Sequence, residues 1–244
     1  MKTKLLAAAA VIALSWGAAG VASADVTFMP YTSLSTDIPA SDVLITQWGS
    51  FSGTSEPTGA ALGSALTLPT DYGLTGGNVV SGTVDCCSAA PTMPGGTFDT
   101  APYLSIAGGE SATLMTPGID ELDLYAGSFD YYNSVTFTFA DGSQTFTGTD
   151  LGLLPNVATN GDRTSPNNNG LFTFSFDKDF TSVTFGSNTN AFEIADLGTL
   201  PREGTDGSNS GIPEPTTWAL MALGLFGVGA ALRTSRRQAA AAVA

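Results

Sequence analysis

The fold class is decided by the stretch Ser134-Val-Thr-Phe-Thr-Phe-Ala-Asp-Gly-Ser-Gln-Thr-Phe-Thr147. Val135, Phe137 and Phe139 alternate with serine and threonine, which is the period-2 pattern of a strand with one buried face. The dipeptide Asp141-Gly142 is a typical turn, and Phe146 between two threonines marks a returning strand. The stretch therefore predicts an antiparallel hairpin with a short Asp-Gly loop.

Similar alternation recurs along the chain. Phe172, Phe174 and Phe176 alternate with threonine and serine, residues 177–179 (Asp-Lys-Asp) predict a turn, and residues 183–185 predict the returning strand. Further strands are predicted at residues 26–31, 43–51, 79–84, 103–107, 111–115, 122–125 and 191–195. Loops are predicted at residues 52–77, where a short helix near 59–65 is an alternative, and at residues 153–170. The sequence thus predicts an all-β fold, an antiparallel β-sandwich or jelly roll, over residues 25–201.

The charge of the chain limits its partners. There are 22 Asp and Glu residues against 8 Lys and Arg, a formal net charge of -14. All of the acidic residues lie between Asp25 and Glu214, whereas most of the basic ones lie near the two ends. Nucleic acid and anionic lipid are excluded as partners because they would be repelled, while neutral glycans and divalent cations remain compatible.

The residue types that the sequence lacks exclude several kinds of catalytic and metal site. The chain has no histidine, which excludes Ser-His-Asp and Cys-His hydrolases and the usual zinc sites. It also has no phosphate-binding glycine loop. Paired carboxylates, as in glycoside hydrolases, are the catalytic chemistry that remains, but no pair stands in a recognisable motif. We therefore expect neither an enzyme nor a cofactor.

One acidic cluster is a candidate cation site. Asp120, Glu121 and Asp123 lie close together, and hard oxygen ligands on loops suit Ca²⁺. Their spacing does not match an EF-hand loop, and a solvated strand face is the ordinary alternative.

The two cysteines, Cys86 and Cys87, are neighbours. In an exported protein they predict a disulfide. A bond between them would be strained, because neighbouring Cα atoms lie only about 3.8 Å apart. Cross-linking to another chain and two buried thiols are the alternatives.

The first residues predict a secretory signal peptide over residues 1–24. Lys2 and Lys4 supply the basic region, residues 5–14 are apolar, and residues 22–24 read Ala-Ser-Ala, an A-x-A cleavage site. Cleavage after Ala24 would leave Asp25 as the first residue.

The last residues have the order of a membrane anchor. Residues 202–211 form a polar, flexible linker, and Pro213-Glu214-Pro215 follows it. Residues 216–232 carry no charge and have about the length of a transmembrane helix. Basic side chains directly after such a helix are retained on the cytoplasmic side, which would leave the body outside and residues 238–244 as a cytoplasmic tail. The basic side chains here are Arg233, Arg236 and Arg237.

These parts at residues 212–237 resemble the PEP-CTERM sorting signal of Gram-negative bacteria. The resemblance implies recognition by exosortase, a membrane protease that cuts near Pro-Glu-Pro, so that the helix is a temporary anchor. The tail after Arg237 departs from the family, whose signals usually stop soon after the arginines.

The sequence therefore predicts an exported protein that is sorted by an exosortase to the cell surface or the medium. Its body is expected to be a non-enzymatic structural or adhesive component of the extracellular matrix, with extracellular polysaccharide as a candidate partner. A glycan-binding module is the alternative, for which Trp48, Tyr125, Tyr131 and Tyr132 are the aromatic side chains of interest. An ice-binding protein and a glycoside hydrolase are minor alternatives, the first because of the Thr-x-Thr pattern at residues 136–138 and 145–149.

Overall fold

The computed structural model describes residues 22–48, 66–84 and 87–200, and most of the regular structure in these ranges is strand. The chain also forms one helical turn at Tyr31–Ser33 and a short helix, α1 (Gly148–Leu151). The all-β prediction is confirmed. The strands are β1 (Ala24–Pro30), β2 (Val43–Leu44), β3 (Gln47–Trp48), β4 (Leu66–Thr67), β5 (Gly73–Gly76), β6 (Asn78–Ser81), β7 (Pro102–Ile106), β8 (Glu110–Gly127), β9 (Asn133–Phe139), β10 (Gly142–Thr147), β11 (Gly170–Ser187) and β12 (Phe192–Thr199).

The strands pair in an antiparallel manner throughout the described residues. The main sheet has the order β10-β9-β11-β8-β12-β7-β6, with β1 beside β11, β5 beside β8 and β2 beside β12. Strands β3 and β4 form a separate two-stranded sheet. The predicted strand at residues 43–51 is thus divided between β2 and β3, and residues 49–65, including the candidate helix, lie outside the described residues.

The two longest strands each belong to two parts of the main sheet. Residues 110–115 of β8 pair with β5 and with residues 182–187 of β11, which pair in turn with β9. Residues 119–127 of β8 pair with β12 and with residues 170–180 of β11, the first of which pair with β1. We call the part with β10, β9 and β5 the first half-sheet, and the part with β1, β12, β7 and β6 the second half-sheet.

This continuity corrects two sequence predictions. Residues 177–179 are not a turn between two strands, because β11 runs through them, and the predicted strands at 111–115 and 122–125 are one strand, β8. The turn residues are accommodated as an irregularity: the register of β11 against β8 shifts between Ser175 and Phe180. Opposite this point Gly118 has a φ of +89°. Residues that typically end a strand here form a bend within a continuous strand.

The core is mainly aromatic and includes residues of both half-sheets. Phe137 of β9 contacts Phe174 and Phe176 of β11, with ring centroids 5.0 and 4.6 Å apart. Phe185 of the first half-sheet meets Phe192 of β12 at 6.2 Å. All of these rings are buried. The alternation of phenylalanine with threonine and serine therefore places the rings inside and the hydroxyls outside.

The predicted hairpin is present with a shifted loop. Gly142 pairs with Phe139, so the two loop residues are Ala140 and Asp141 rather than Asp141 and Gly142. The strand then ends in α1, where Thr147 and Asp150 form a capping box.

Candidate functional site

The outer face of the first half-sheet carries a row of threonines across five neighbouring strands. Directly opposite one another in order stand Thr145, Thr136, Thr184, Thr113 and Thr75. The hydroxyls of Thr113 and Thr184 are 3.0 Å apart, and those of Thr136 and Thr145 are 2.8 Å apart. Because neighbouring strands lie about 4.8 Å apart, the threonine row spans roughly 19 Å.

The face around the row is uncharged. Most of its other positions are also hydroxyl residues, and the exceptions are a methionine and two glycines. We call these positions together with the threonine row the hydroxyl face. The positions are Gly73, Ser111, Met115, Ser134, Thr138, Ser143, Thr147, Ser182 and Gly186. On a chain with a net charge of -14, this face lacks any ionisable side chain on the paired strands.

The outer side of the second half-sheet carries carboxyls instead. Asp123 accepts a hydrogen bond from the Thr173 hydroxyl, and Glu121 accepts one from Ser175 at 2.8 Å. Burial, with a hydrogen bond between the carboxyls of Asp123 and Asp42, raises the pKa of Asp123 to about 7. Asp123 is therefore about half protonated near neutral pH.

A second carboxyl pair lies nearby. Burial, followed by the hydrogen bond with Asp37, raises the pKa of Asp196 to about 8. The Thr46 hydroxyl donates to Asp196 at 2.9 Å. Two of the acidic side chains, Asp123 and Asp196, are thus buried on one side of the body and bind a proton more tightly than an exposed carboxyl does.

The predicted calcium ligands belong to this side. Asp123 is buried, Glu121 is half-buried and Asp120 is exposed. Within residues 22–48, 66–84 and 87–200, no group of three His, Cys, Asp or Glu side chains is placed to hold a metal ion. Calcium binding by these three residues stays a prediction.

A polar pocket of about 320 Å³ lies beside the start of β12. Four separate segments of the chain line it, and almost all of its lining groups are polar. Its walls include Cys87, Asp130, Tyr132, Asn160, Arg163 and Glu193.

Glu193 is the most buried ionisable group of the pocket, with 2% of its surface exposed. Its Oε1 accepts from the backbone N–H of Ala89 and its Oε2 from the Ser128 hydroxyl, both at 2.9 Å. Burial raises the pKa of Glu193 to about 7 against the opposing effect of these two donors. The side chain is thus fixed in place whichever protonation state it adopts.

Asp130, Tyr132 and Asn190 form a chain of hydrogen bonds at the pocket. The Tyr132 hydroxyl oxygen lies 2.6 Å from Asp130 Oδ2 and 2.9 Å from the backbone oxygen of Asn190. The Tyr132 hydroxyl is the donor to both oxygens, so its single hydrogen is shared between them. Burial raises the pKa of Asp130, against the opposing effect of the hydrogen bond from Tyr132.

Arg163 supplies the positive charge of the pocket. In the part of the chain that the structure describes, the one ion pair joins Lys178 to Asp141 at 2.7 Å, and Arg163 takes part in none. The Thr92 hydroxyl donates to the Arg163 backbone oxygen at 2.6 Å, which fixes the backbone and leaves the guanidinium at the pocket.

Cys87 is disulfide-bonded. The sequence has one other cysteine, Cys86, which lies outside the described residues. The pocket therefore contains no free thiol from Cys87, and thiol chemistry at this residue is excluded.

The aromatic residues of interest have different environments. Tyr125 is fully buried, and its hydroxyl donates to the Thr92 backbone oxygen at 2.6 Å. Tyr131 is 63% exposed and packs edge-on against Tyr132, which lines the pocket. Trp48 is the last residue of β3, and its side chain lies outside the described residues. Tyr131 and Tyr132 are thus the aromatic pair that reaches the surface.

The targeting predictions fall mostly outside the described residues. Residues 1–21 and 201–244 are not described, so Pro213, Glu214, Pro215 and the three arginines have no structural account here. Ala24 and Asp25 are the first residues of β1, so the predicted cleavage falls one residue inside this strand. No helix in the described ranges is long and apolar enough to cross a membrane.

The pocket is the feature that sequence reasoning missed. Asp130, Arg163 and Glu193 stand far apart in the chain, and none lies in a motif. The single sequence signal was Glu193 itself, a carboxyl within the otherwise apolar segment 191–195.

Comparisons with known proteins identify only the end of the chain. No curated protein and no solved structure matches it. The family model of the PEP-CTERM protein-sorting motif matches residues 211–237. The prediction from the sequence is thereby confirmed: the chain carries a PEP-CTERM sorting motif at its C-terminal end, which marks it as an exported protein sorted by an exosortase.

Proposed function

We propose that this protein is a non-enzymatic structural or adhesive component of the extracellular matrix, released from a temporary membrane anchor by an exosortase. The hydroxyl face is the observation that carries the proposal. It is an uncharged surface of regularly spaced hydroxyls on a strongly acidic body. A surface of this kind suits contact with a large neutral partner.

The partner is a neutral polysaccharide. Hydroxyls both donate and accept hydrogen bonds, so a row of threonines matches the hydroxyls of a sugar chain without any charge on either side. A polyanionic polysaccharide would be repelled by the net charge of the body. The threonine methyl groups add apolar contact along the same row.

The body that presents this face is best described as a β-sandwich. The aromatic contacts from β9 to the first part of β11, and from Phe185 to Phe192, support two half-sheets packed face to face. The long strands β8 and β11 pass from one half-sheet to the other, as strands do at the corners of orthogonal packings.

Ice binding is the minor alternative that uses the same face. Strands in a sheet are rotated by roughly 20–25° relative to their neighbours. Such a rotation turns the two ends of the threonine row away from a common plane. A flexible polymer follows a twisted surface, whereas an ice plane does not, and we therefore favour the polysaccharide.

Glycan binding in a defined site is the second candidate function. It is supported by exposed Tyr131 beside Tyr132 at the polar pocket, because sugars bind against aromatic rings with polar groups nearby. The same pocket holds two carboxyls, Asp130 and Glu193, as a glycoside hydrolase would. Both carboxyls are engaged by the protein's own donors, which favours binding over catalysis.

Co-sedimentation of the full-length protein with insoluble cellulose tests the main proposal. We expect the double variant Thr136→Lys/Thr184→Lys to bind about tenfold more weakly, because two ammonium groups interrupt the neutral row. Thr100→Lys, at an exposed threonine away from the face, is the matched control and should bind like the wild type. Equal melting temperatures would show that all variants are folded.

Two results would overturn this assignment. Equal sedimentation of the double variant and the wild type would remove the hydroxyl face from adhesion. Enrichment of the wild type in slowly growing ice, without sedimentation on cellulose, would assign the face to ice instead.

A further inference from the structure

We propose that the pocket beside the start of β12 binds one unit of a neutral sugar. The inference deepens the second candidate function and rests on it, but it is independent of the hydroxyl face. The site is built rather than accidental, because its innermost charged side chain, Glu193, is almost completely buried and held by two hydrogen bonds. Its volume of about 320 Å³ is at the small end of the range for ligand pockets.

The pocket offers donors and acceptors side by side. Arg163 and the Asn160 amide are donors, while the carboxyl oxygens of Asp130 and Glu193 are acceptors. Because donors and acceptors line the same small pocket, a ligand that bonds to both needs groups that can donate and accept hydrogen bonds. Hydroxyl groups do this, and a sugar ring carries several of them in a fixed arrangement.

The mixed charges of the pocket disfavour small ligands that carry a single charge. An anion such as a phosphate or a carboxylate would meet the carboxyls of Asp130 and Glu193, and an amine would meet the guanidinium of Arg163. A neutral ligand avoids both repulsions. The strongest single bond would come from Arg163, because a hydrogen bond from a charged donor is about twice as strong as one between neutral groups.

Hydrogen bonds within the protein already hold several of the side chains that line the pocket before a ligand binds. Tyr132 links Asp130 to the backbone of Asn190, and the Asp130 backbone N–H donates to Asn133 Oδ1 at 2.7 Å. Side chains held in this way lose little freedom when a ligand binds. Exposed Tyr131, next to Tyr132, offers a ring at the surface for the apolar face of a neighbouring sugar unit.

Saturation-transfer NMR on the full-length protein tests the proposal, with glucose, galactose, mannose and glucuronate as separate probes. We expect at least one neutral hexose to bind. Arg163→Ala should raise its Kd about tenfold, because a charged hydrogen bond is lost. The matched control is Lys178→Ala, which removes the cation that pairs with Asp141. This control should leave the Kd unchanged.

A second variant tests the same pocket with a smaller change, so that weaker binding is not explained by unfolding. Tyr132→Phe removes the hydroxyl that links Asp130 to Asn190 but keeps the ring, and it should also weaken binding. The proposal is wrong if no neutral hexose binds, if glucuronate binds more tightly than every hexose, or if Arg163→Ala binds like Lys178→Ala. Cellulose binding by the hydroxyl face should survive Arg163→Ala, so the two proposals fail separately.

Discussion

Asp196 shows how a single residue links the fold to pH. It lies in β12, where every residue is buried, and its carboxyl contacts the Thr46 hydroxyl and the Asp37 carboxyl. Desolvation disfavours the charged form, and the neighbouring acid adds to this effect. The folded protein therefore keeps a proton on Asp196 at a pH where the unfolded chain has already lost it.

The stability of the protein should consequently fall as the pH rises from 5 to 8. The pKa of Asp196 is about 8 in the folded state and 3.8 in its ordinary state, so the stabilisation is complete below 3.8 and is lost by about pH 8. Between pH 5 and 8 we expect the free energy of unfolding to drop by about 3–4 kcal/mol through this residue. Thermal unfolding followed by circular dichroism should show a melting temperature lower by roughly 7–14 °C.

Substitution identifies the group responsible. Asp196→Asn has no proton to lose, so it should reduce the pH dependence, whereas Asp120→Asn at an exposed position should keep the wild-type slope. Equal slopes for the wild type and Asp196→Asn would contradict the assignment.

For single residues, the sequence shows the composition of the chain but not which side chains are in contact in the folded protein. The absence of histidine and the excess of acid are visible at once. The pairing of Asp37 with Asp196 or Asp42 with Asp123 is not, because each pair joins segments far apart in the chain. The pocket was missed for the same reason.

Among the elements, β8 and β11 decide the shape of the body. Both run for 18 residues and take part in both half-sheets. The Thr116 hydroxyl donates to the Phe180 backbone oxygen at 2.8 Å where the register shifts. The next bend residue, Pro117, has no N–H to donate, and Gly118 adopts a left-handed conformation.

Gly118→Ala should destabilise the protein because of this conformation. An alanine at a φ of +89° is strained, and we expect a loss of about 1–2 kcal/mol in the free energy of unfolding by urea. Gly73→Ala is the matched control: its φ is not positive, and the added carbon would meet Met115 Cβ at an ordinary 3.9 Å. A Gly118→Ala variant as stable as Gly73→Ala would show that the bend does not depend on the glycine.

Most of the strands were predictable, but β4 and β5 lie within the predicted loop at residues 52–77, and the continuity of the long strands was not predicted. Alternating phenylalanine and threonine gave the hairpin of β9 and β10 and the two parts of β11. The charged residues 177–179 were predicted as a turn, because local sequence does not distinguish a turn from a bend within a strand. Only the pairing with neighbouring strands resolves the difference.

The whole molecule has two unlike sides. The first half-sheet presents the uncharged hydroxyl face, while the carboxyl pairs of Asp42 with Asp123 and Asp37 with Asp196 lie against the second. If the protein binds a neutral matrix as proposed, contact is through the uncharged side, and the buried carboxyls of Asp123 and Asp196 lie away from it. This arrangement agrees with an exported protein sorted by an exosortase.

Processing at the C-terminal end is the prediction that concerns the entire chain. Pro213 and Pro215 lack backbone N–H groups and favour an extended chain, the form in which a protease cleft holds a substrate. Intact-mass spectrometry of the protein from its native host should therefore give a chain that starts at Asp25 and ends near residues 213–215. Deletion of the exosortase should leave Ala244 in place. Pro213→Ala/Pro215→Ala should slow the cut and Pro201→Ala should not, whereas Ala244 retained in both hosts would mean a permanent anchor.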